Sequence, residues 1–204
     1  MDPIPVHLAV EDSLSEAVLR RILKGSERQY EVGTCYRKGG YGYLKRNIVG
    51  FNNAAKGTPF VVLTDLDRAT CAPNLIRQWL PVPRHPNLLL RIAVREVEAW
   101  LLADRGGFSD FLGIGEDRIP RDADGIPDPK VCLINLARRS RRRSLRDAIV
   151  PAEGITARQG PNYDGALTPF VLDSWDLAAA ASRSPSLRRT VEAARRFVPQ
   201  WSRR

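Results

Sequence analysis

Histidine is nearly absent from this chain. His7 and His85 are the only two, and no HExxH pairs them, which excludes a histidine-based zinc site. Cysteine is scarce as well. Cys35, Cys71 and Cys132 are odd in number and far apart, a pattern that fits neither a disulfide framework nor a thiolate metal cage; they read as small buried hydrophobes. No apolar run approaches the roughly 18–20 uncharged residues of a membrane span, and the opening MDPIPVHLAVEDSL lacks a basic leader and a cleavage pattern. The cytoplasm is the expected location. Neither GxxxxGK[ST] nor GxSxG occurs, which removes a phosphate-binding loop of the Walker type and a serine-hydrolase elbow.

What is present is enough apolar residue to fold and an excess of positive charge. The 204 residues are 43% apolar, so the chain can bury a sizeable core. The formal net charge is +9, and the part after Asp104 carries +6 of it, with 18 basic residues against 12 acidic. Such a balance attracts polyanions.

Residues 1–104 read as four strand–helix units. IPVHLAV is a short apolar strand, followed by SLSEAVLRRILKG, where Leu14, Ala17, Val18, Leu19 and Ile22 recur at helical spacing before Gly25. YEVGTCY is a second strand, joined by a glycine-rich loop to a helix over YLKRNIVGFNNAA. PFVVLTD, CAPNLIRQWL, NLLLRIAV and EVEAWLLAD then alternate strand and helix. Continuous Val/Ile/Leu strands separated by helices predict an α/β fold with a mainly parallel sheet covered on both faces. Residues 105–204 read as a basic helical extension packed on it: KVCLINLARR, LTPFVLDSWDLAAAASR and SLRRTVEAARRFV, the last opened by Ser184 and Pro185. DRIPRDADGIPDP is the boundary loop, and Phe170, Trp175 and Phe197 are expected as core anchors.

In such a sheet the strand C-termini share one edge, where ligands bind. Carboxylates fall there three times: Glu11 and Asp12 after the first strand, Asp65 and Asp67 at the third, Glu96 and Glu98 after the fourth. Residues two apart in a strand share a face about 6.5–7 Å apart, so Asp65 and Asp67 are expected to converge. Paired carboxylates stay ionised only beside a cation, and an all-oxygen set suits Mg²⁺ or Mn²⁺. The competing reading is structural: an Asp after a strand caps the next helix, and a Glu in a first turn complements the helix dipole.

The order AVEDSLSEAVLRRIL, then VVLTDLDRAT, resembles the Toprim domain of topoisomerases, primases and OLD-type nucleases, over roughly residues 4–104. REVEAWLLAD, DPKVCLINL and GPNYDGALTPF are similar to segments of small bacterial Toprim-like proteins found near defence systems. The resemblance implies a metal-dependent nuclease in which Glu11, Asp65 and Asp67 bind metal or handle protons, with Glu11 as the general base. It adds Glu16 as a second acidic residue of the first motif, one position later than usual, and Glu96 and Glu98 as the later acidic contribution. Two departures stand out. Asp12 occupies the usual glycine position after the glutamate, and DLDRAT lacks the glycine that follows the aspartate pair. The haloacid dehalogenase phosphatases also use such a pair, but the position where they need Thr or Val is Ala69, and Thr70 misses by one.

Two basic segments point to nucleic acid. CYRKGGYGYLKR offers Arg37, Lys38, Lys45 and Arg46 among Tyr36, Tyr41 and Tyr43, cations and rings suited to a strand, though a mixed surface loop would look alike. RRSRRRSLR carries six arginines in nine residues, including Arg138, Arg139, Arg141, Arg142 and Arg143; they would ring a helix and repel one another unless a polyanion or solvent surrounds them. The expected activity is Mg²⁺-dependent hydrolysis of DNA or RNA, as part of phage defence. The alternative is a catalytically weak nucleic-acid-binding or regulatory subunit working with a partner ATPase.

Overall fold

The computed structural model describes residues 2–154 and 156–201. Four strands form one sheet: β1 (Ile4–Ala9), β2 (Tyr30–Tyr36), β3 (Phe60–Asp65) and β4 (Leu88–Ala93). They lie in the order β2-β1-β3-β4, all parallel. The α/β architecture expected from the alternating pattern is therefore the one observed.

Helices α1 (Ser13–Lys24), α2 (Gly40–Ala54) and α3 (Ala72–Trp79) connect the strands, and α4 (Val97–Ala103) follows β4. Asp12 caps α1 by accepting from the Ser15 amide at 2.8 Å, and Gly25 ends it. The helix α2 starts earlier than its sequence suggests. Gly39 and Gly40 take φ of 85° and 58°, a left-handed turn that side chains resist, so the loop shrinks to a few residues and Tyr41, Gly42 and Tyr43 lie in the first turns.

The sheet alternates faces residue by residue, and each face has its own core. Ala9, Phe60, Val62, Leu88, Leu90 and Ile92 pack with α2 and α3 residues such as Leu44, Ile48 and Leu75. Val6, Leu8, Val61 and Leu63 face the other way, into a larger core with α1, α4 and the C-terminal helices. Those helices are α5 (Arg105–Leu112), α6 (Pro129–Ala137), α7 (Arg143–Ile149), α8 (Tyr163–Pro169), α9 (Leu177–Arg183) and α10 (Pro185–Arg196). These C-terminal helices thus complete the cover of one sheet face, and Trp100, Phe108, Tyr163, Phe170 and Trp175 are all buried there. The Trp100 indole donates to the Ser186 hydroxyl at 2.7 Å, tying α4 to α10. Ser184 caps α10 through the Leu187 amide at 3.2 Å, with Pro185 next, as its sequence predicts.

Three expectations change. LTPFVLDSWDLAAAASR is not one helix: α8 passes into a wider turn at Phe170–Ser174, and the chain restarts as α9 behind an Asp176 cap. Burying Trp175 at that break, where its backbone leaves helical geometry, explains the interruption. RRSRRRSLR is not helical throughout either. The helix α6 stops at Ala137 and α7 begins at Arg143; between them the buried Ser140 hydroxyl donates to Leu112 O at 2.5 Å and accepts from the Arg142 amide at 3.1 Å. The three cysteines are free thiols, half-buried rather than buried. Among the described residues no helix is long and apolar enough to cross a membrane.

Candidate active site

The chain leaves β1 for β2 on one side of the sheet and leaves β3 for β4 on the other. Between β1 and β3 the connections diverge, and that switch point opens a crevice at the strand C-termini. Glu11 and Asp65 stand at it. One Glu11 oxygen, Oε1, accepts from the Asp65 amide at 2.9 Å and from the Thr64 hydroxyl, so the exit of β1 is stitched to the end of β3.

The other carboxylates continue a chain of ties. Asp65 Oδ1 accepts from the Val97 amide at 3.0 Å, capping α4 from the neighbouring strand. Glu96 Oε2 accepts from the Lys130 amide at 2.8 Å, at the start of α6. Glu98, in the first turn of α4, is 1% exposed; its Oε1 accepts from the Tyr163 hydroxyl at 3.1 Å and faces Lys130 Nζ at 3.3 Å. The Lys130 ammonium also lies 5.6 Å from the centre of the Tyr163 ring. The structural reading of these acids is realised in Asp12, which caps the next helix, whereas Asp65 accepts from the start of α4 rather than from the helix that follows its own strand.

Asp65 and Asp67 are not neighbours on a strand face. β3 ends at Asp65, the Leu66 and Asp67 amides both donate to Arg95 O, and Asp67 turns out with φ of 48°. Arg95 Nη1 returns to Asp67 O at 2.9 Å and to Ala69 O at 3.3 Å, holding this turn. The Asp67 side chain is left exposed, accepting no hydrogen bond among the described residues.

Crowding shows in the proton affinities. Burial lifts Asp65 well above the ordinary carboxylate range, and the charges of Glu98, Glu11, Asp12 and Asp67 add to it. Burial pushes Glu98 up to about 7 even with Lys130 opposing the shift. Glu11 is raised by burial, partly offset by its bonds from Thr64 and Asp65, with Asp67 and Asp12 adding to the rise. Partial burial raises Glu96 and, on its exposed turn, Asp67; Lys130 holds both back, and Arg68 also holds back Asp67. Burial works against charge on Lys130, but Glu98, Asp12, Glu96 and Asp65 outweigh it and keep the ammonium protonated. Lys130 therefore serves Asp65, Glu96, Glu98 and Asp67 together, with Arg68 also lowering Asp67.

Lys130 and Tyr163 escaped the reading of the sequence, although DPKVCLINL and GPNYDGALTPF contain them. One signal was available. A lysine in the first turn of a helix opposes the dipole, and Asp128-Pro129 marks that turn, so Lys130 needs an anionic partner from elsewhere. Glu16 is placed differently from the other candidates: its carboxylate pairs with Arg20 at 2.9 Å and Arg37 at 3.2 Å, and none of its contacts reaches the rim. Lys38, Lys45 and Arg46 are exposed along the start of α2, while Tyr36 and Tyr43 pack against Phe51 rather than stand free. Arg138, Arg139, Arg141, Arg142 and Arg143 are exposed; Arg142 reaches Asp110 O at 3.2 Å, and Arg143 lies 3.5 Å from Asp147.

Among the described residues no three His, Cys, Asp or Glu side chains stand as a ready-made metal cage. The donor chemistry of the acids nonetheless suits a hard cation: each offers oxygen ligands, the Asp67 carboxylate is unengaged, and Glu98 Oε2 is buried without a hydrogen-bond partner among the described residues. Glu11, Asp65 and Asp67 are the residues that would hold Mg²⁺ or Mn²⁺. No family model, curated protein or solved structure matches this chain.

Proposed function

We propose that this chain is a divalent-cation-dependent phosphodiesterase acting on nucleic acid, with its active site at the switch point between β1 and β3. The observation that carries the proposal is the meeting of carboxylates from the ends of β1, β3 and β4, tied to one another through Glu11, Asp65 and the start of α4, with the Lys130 ammonium against Glu98. A cluster whose members raise one another's proton affinity gains from any added cation. The resemblance to Toprim nucleases supports the same reading.

When bound, Mg²⁺ or Mn²⁺ supplies Lewis acidity to a phosphate oxygen and acidifies a water. The protein's own groups do the rest. Glu11 Oε1 is fixed by Thr64 and Asp65, which leaves Oε2 to take a proton from the attacking water. Asp65 is immobilised by its bond from Val97, whereas Asp67, exposed on its turn, meets an incoming ion first. Lys130 offsets part of the cluster's negative charge before the ion arrives.

The test is cleavage of plasmid, single-stranded DNA and RNA with Mg²⁺ or Mn²⁺, comparing wild type with Asp67→Asn. Asparagine tolerates the left-handed turn, so the fold should survive while cleavage falls on the order of 100-fold. Equal rates in the two proteins would sink the proposal. Salt-sensitive binding with no cleavage by wild type would replace it with the non-catalytic subunit that works beside an ATPase.

A further inference from the structure

A cavity of about 540 Å³ opens beside the rim, lined by Tyr41, Asp67, Arg68, Glu96, Asp128 and Arg158 among others. A second, of about 650 Å³, is lined by Arg118, Arg138 and Arg139 along α6. Pro127 and Asp128 belong to both walls, so one corner of the chain separates the two. Arg138 also lines a third cavity with Arg146. The three depressions follow one another from the strand ends along α6 towards α7, each sharing a wall residue with the next.

We propose that this path binds one unpaired nucleic-acid strand, with a base held at Tyr41 and phosphates passing Arg68 and Arg158 to Arg118, Arg138 and Arg139. All five arginines are exposed, and guanidinium groups grip phosphates in a bidentate fashion. Tyr41 lines the rim cavity and is fixed edge-on against Trp79, with ring centres 4.8 Å apart; a held ring stacks a base with little entropy lost. Two of the acids along the path are occupied elsewhere: Asp128 caps α6 through the Val131 amide at 2.9 Å, and Glu96 is bonded to the Lys130 amide; Asp67, which is unengaged, stands at the rim end beside Arg68. A duplex keeps its bases stacked inside, so only an unpaired strand brings a base face to Tyr41. The assignment rests on the phosphodiesterase reading for what happens at the rim end, but not for binding.

Binding is therefore measured in EDTA, by fluorescence anisotropy of a short labelled oligothymidylate and of a duplex of equal length. The single strand should bind about tenfold more tightly or better. The double variant Arg118→Glu/Arg139→Glu, and separately Arg158→Glu, should each weaken it about tenfold and flatten its salt dependence. Tyr41→Ala should cost roughly fivefold or more, with Tyr41→Phe retaining the affinity. Arg189→Glu, the same charge change on α10 away from the path, should stay within about threefold. Duplex binding as tight as single-strand binding, or an Arg189→Glu loss equal to the others, would overturn the proposal. So would full affinity in Tyr41→Ala. Because no divalent ion is present, each result is independent of whether the protein cleaves.

Discussion

The strand-end rim and the arginine run between α6 and α7 are both dense in charge, yet they are built on opposite terms. At the rim, Asp65 and Glu98 are buried and every acid except Asp67 is tied to an amide, a hydroxyl or Lys130. In the run, the arginines face solvent, and the Arg143–Asp147 pair is exposed on both sides. Burial turns charge into structure, because desolvated groups must be paired or neutralised. Exposure leaves charge free for a partner, at little consequence for the fold.

Removing the rim's cation should break this contrast most strongly. Lys130→Met leaves Glu98 buried beside its fellow acids, and the expected cost is about 3–5 kcal/mol at pH 8 by urea unfolding. The cost should shrink towards pH 5, where Glu98 is protonated; an unchanged midpoint at pH 8 would mean that the cluster is not held by Lys130.

Next comes the pH dependence of the wild type in EDTA. Glu98 has a folded value raised from 4.5 to about 7, so the native state binds the extra proton between these limits. Its contribution to stability is fully present below pH 4.5 and is lost as pH rises through 7, about 3 kcal/mol in all. Glu11, Asp65, Asp67 and Glu96 are raised too and act in the same direction. Unfolding midpoints that climb from pH 5 to pH 8 would contradict the buried-cluster description.

A smaller loss is expected at the rim's edge. Asp12→Ala removes the cap of α1 and should cost about 1 kcal/mol, read as a shift in thermal midpoint, with Asp12→Asn recovering most of it. Smallest of all, Arg143→Ala in the exposed run should change stability by no more than about 0.5 kcal/mol. A larger loss there would show that the run supports the fold as the rim does.

The difference between the regions also explains what could be read in advance. Asp12 as a cap, Ser184-Pro185 as a helix start and the buried Val/Leu strands follow from local spacing, and each is found. The placement of Asp65 opposite Asp67 did not follow, because β3 ends at Asp65 and the Arg95 contacts that turn the next residues come from 28 positions away. The broken helices had the same cause: Ser140 and Trp175 stop them through contacts with distant chain.

The sequence by itself determined the alternation of strands and helices, the two-faced sheet and the arrival of acids after three strands, since hydrophobic period and cap chemistry act over a few residues. Only the tertiary structure decided that α6 and α8 deliver Lys130 and Tyr163 to those acids, and that Glu16 turns away to Arg20 and Arg37. Burial and pairing of charge depend on which segments meet in space, and no local pattern encodes that meeting.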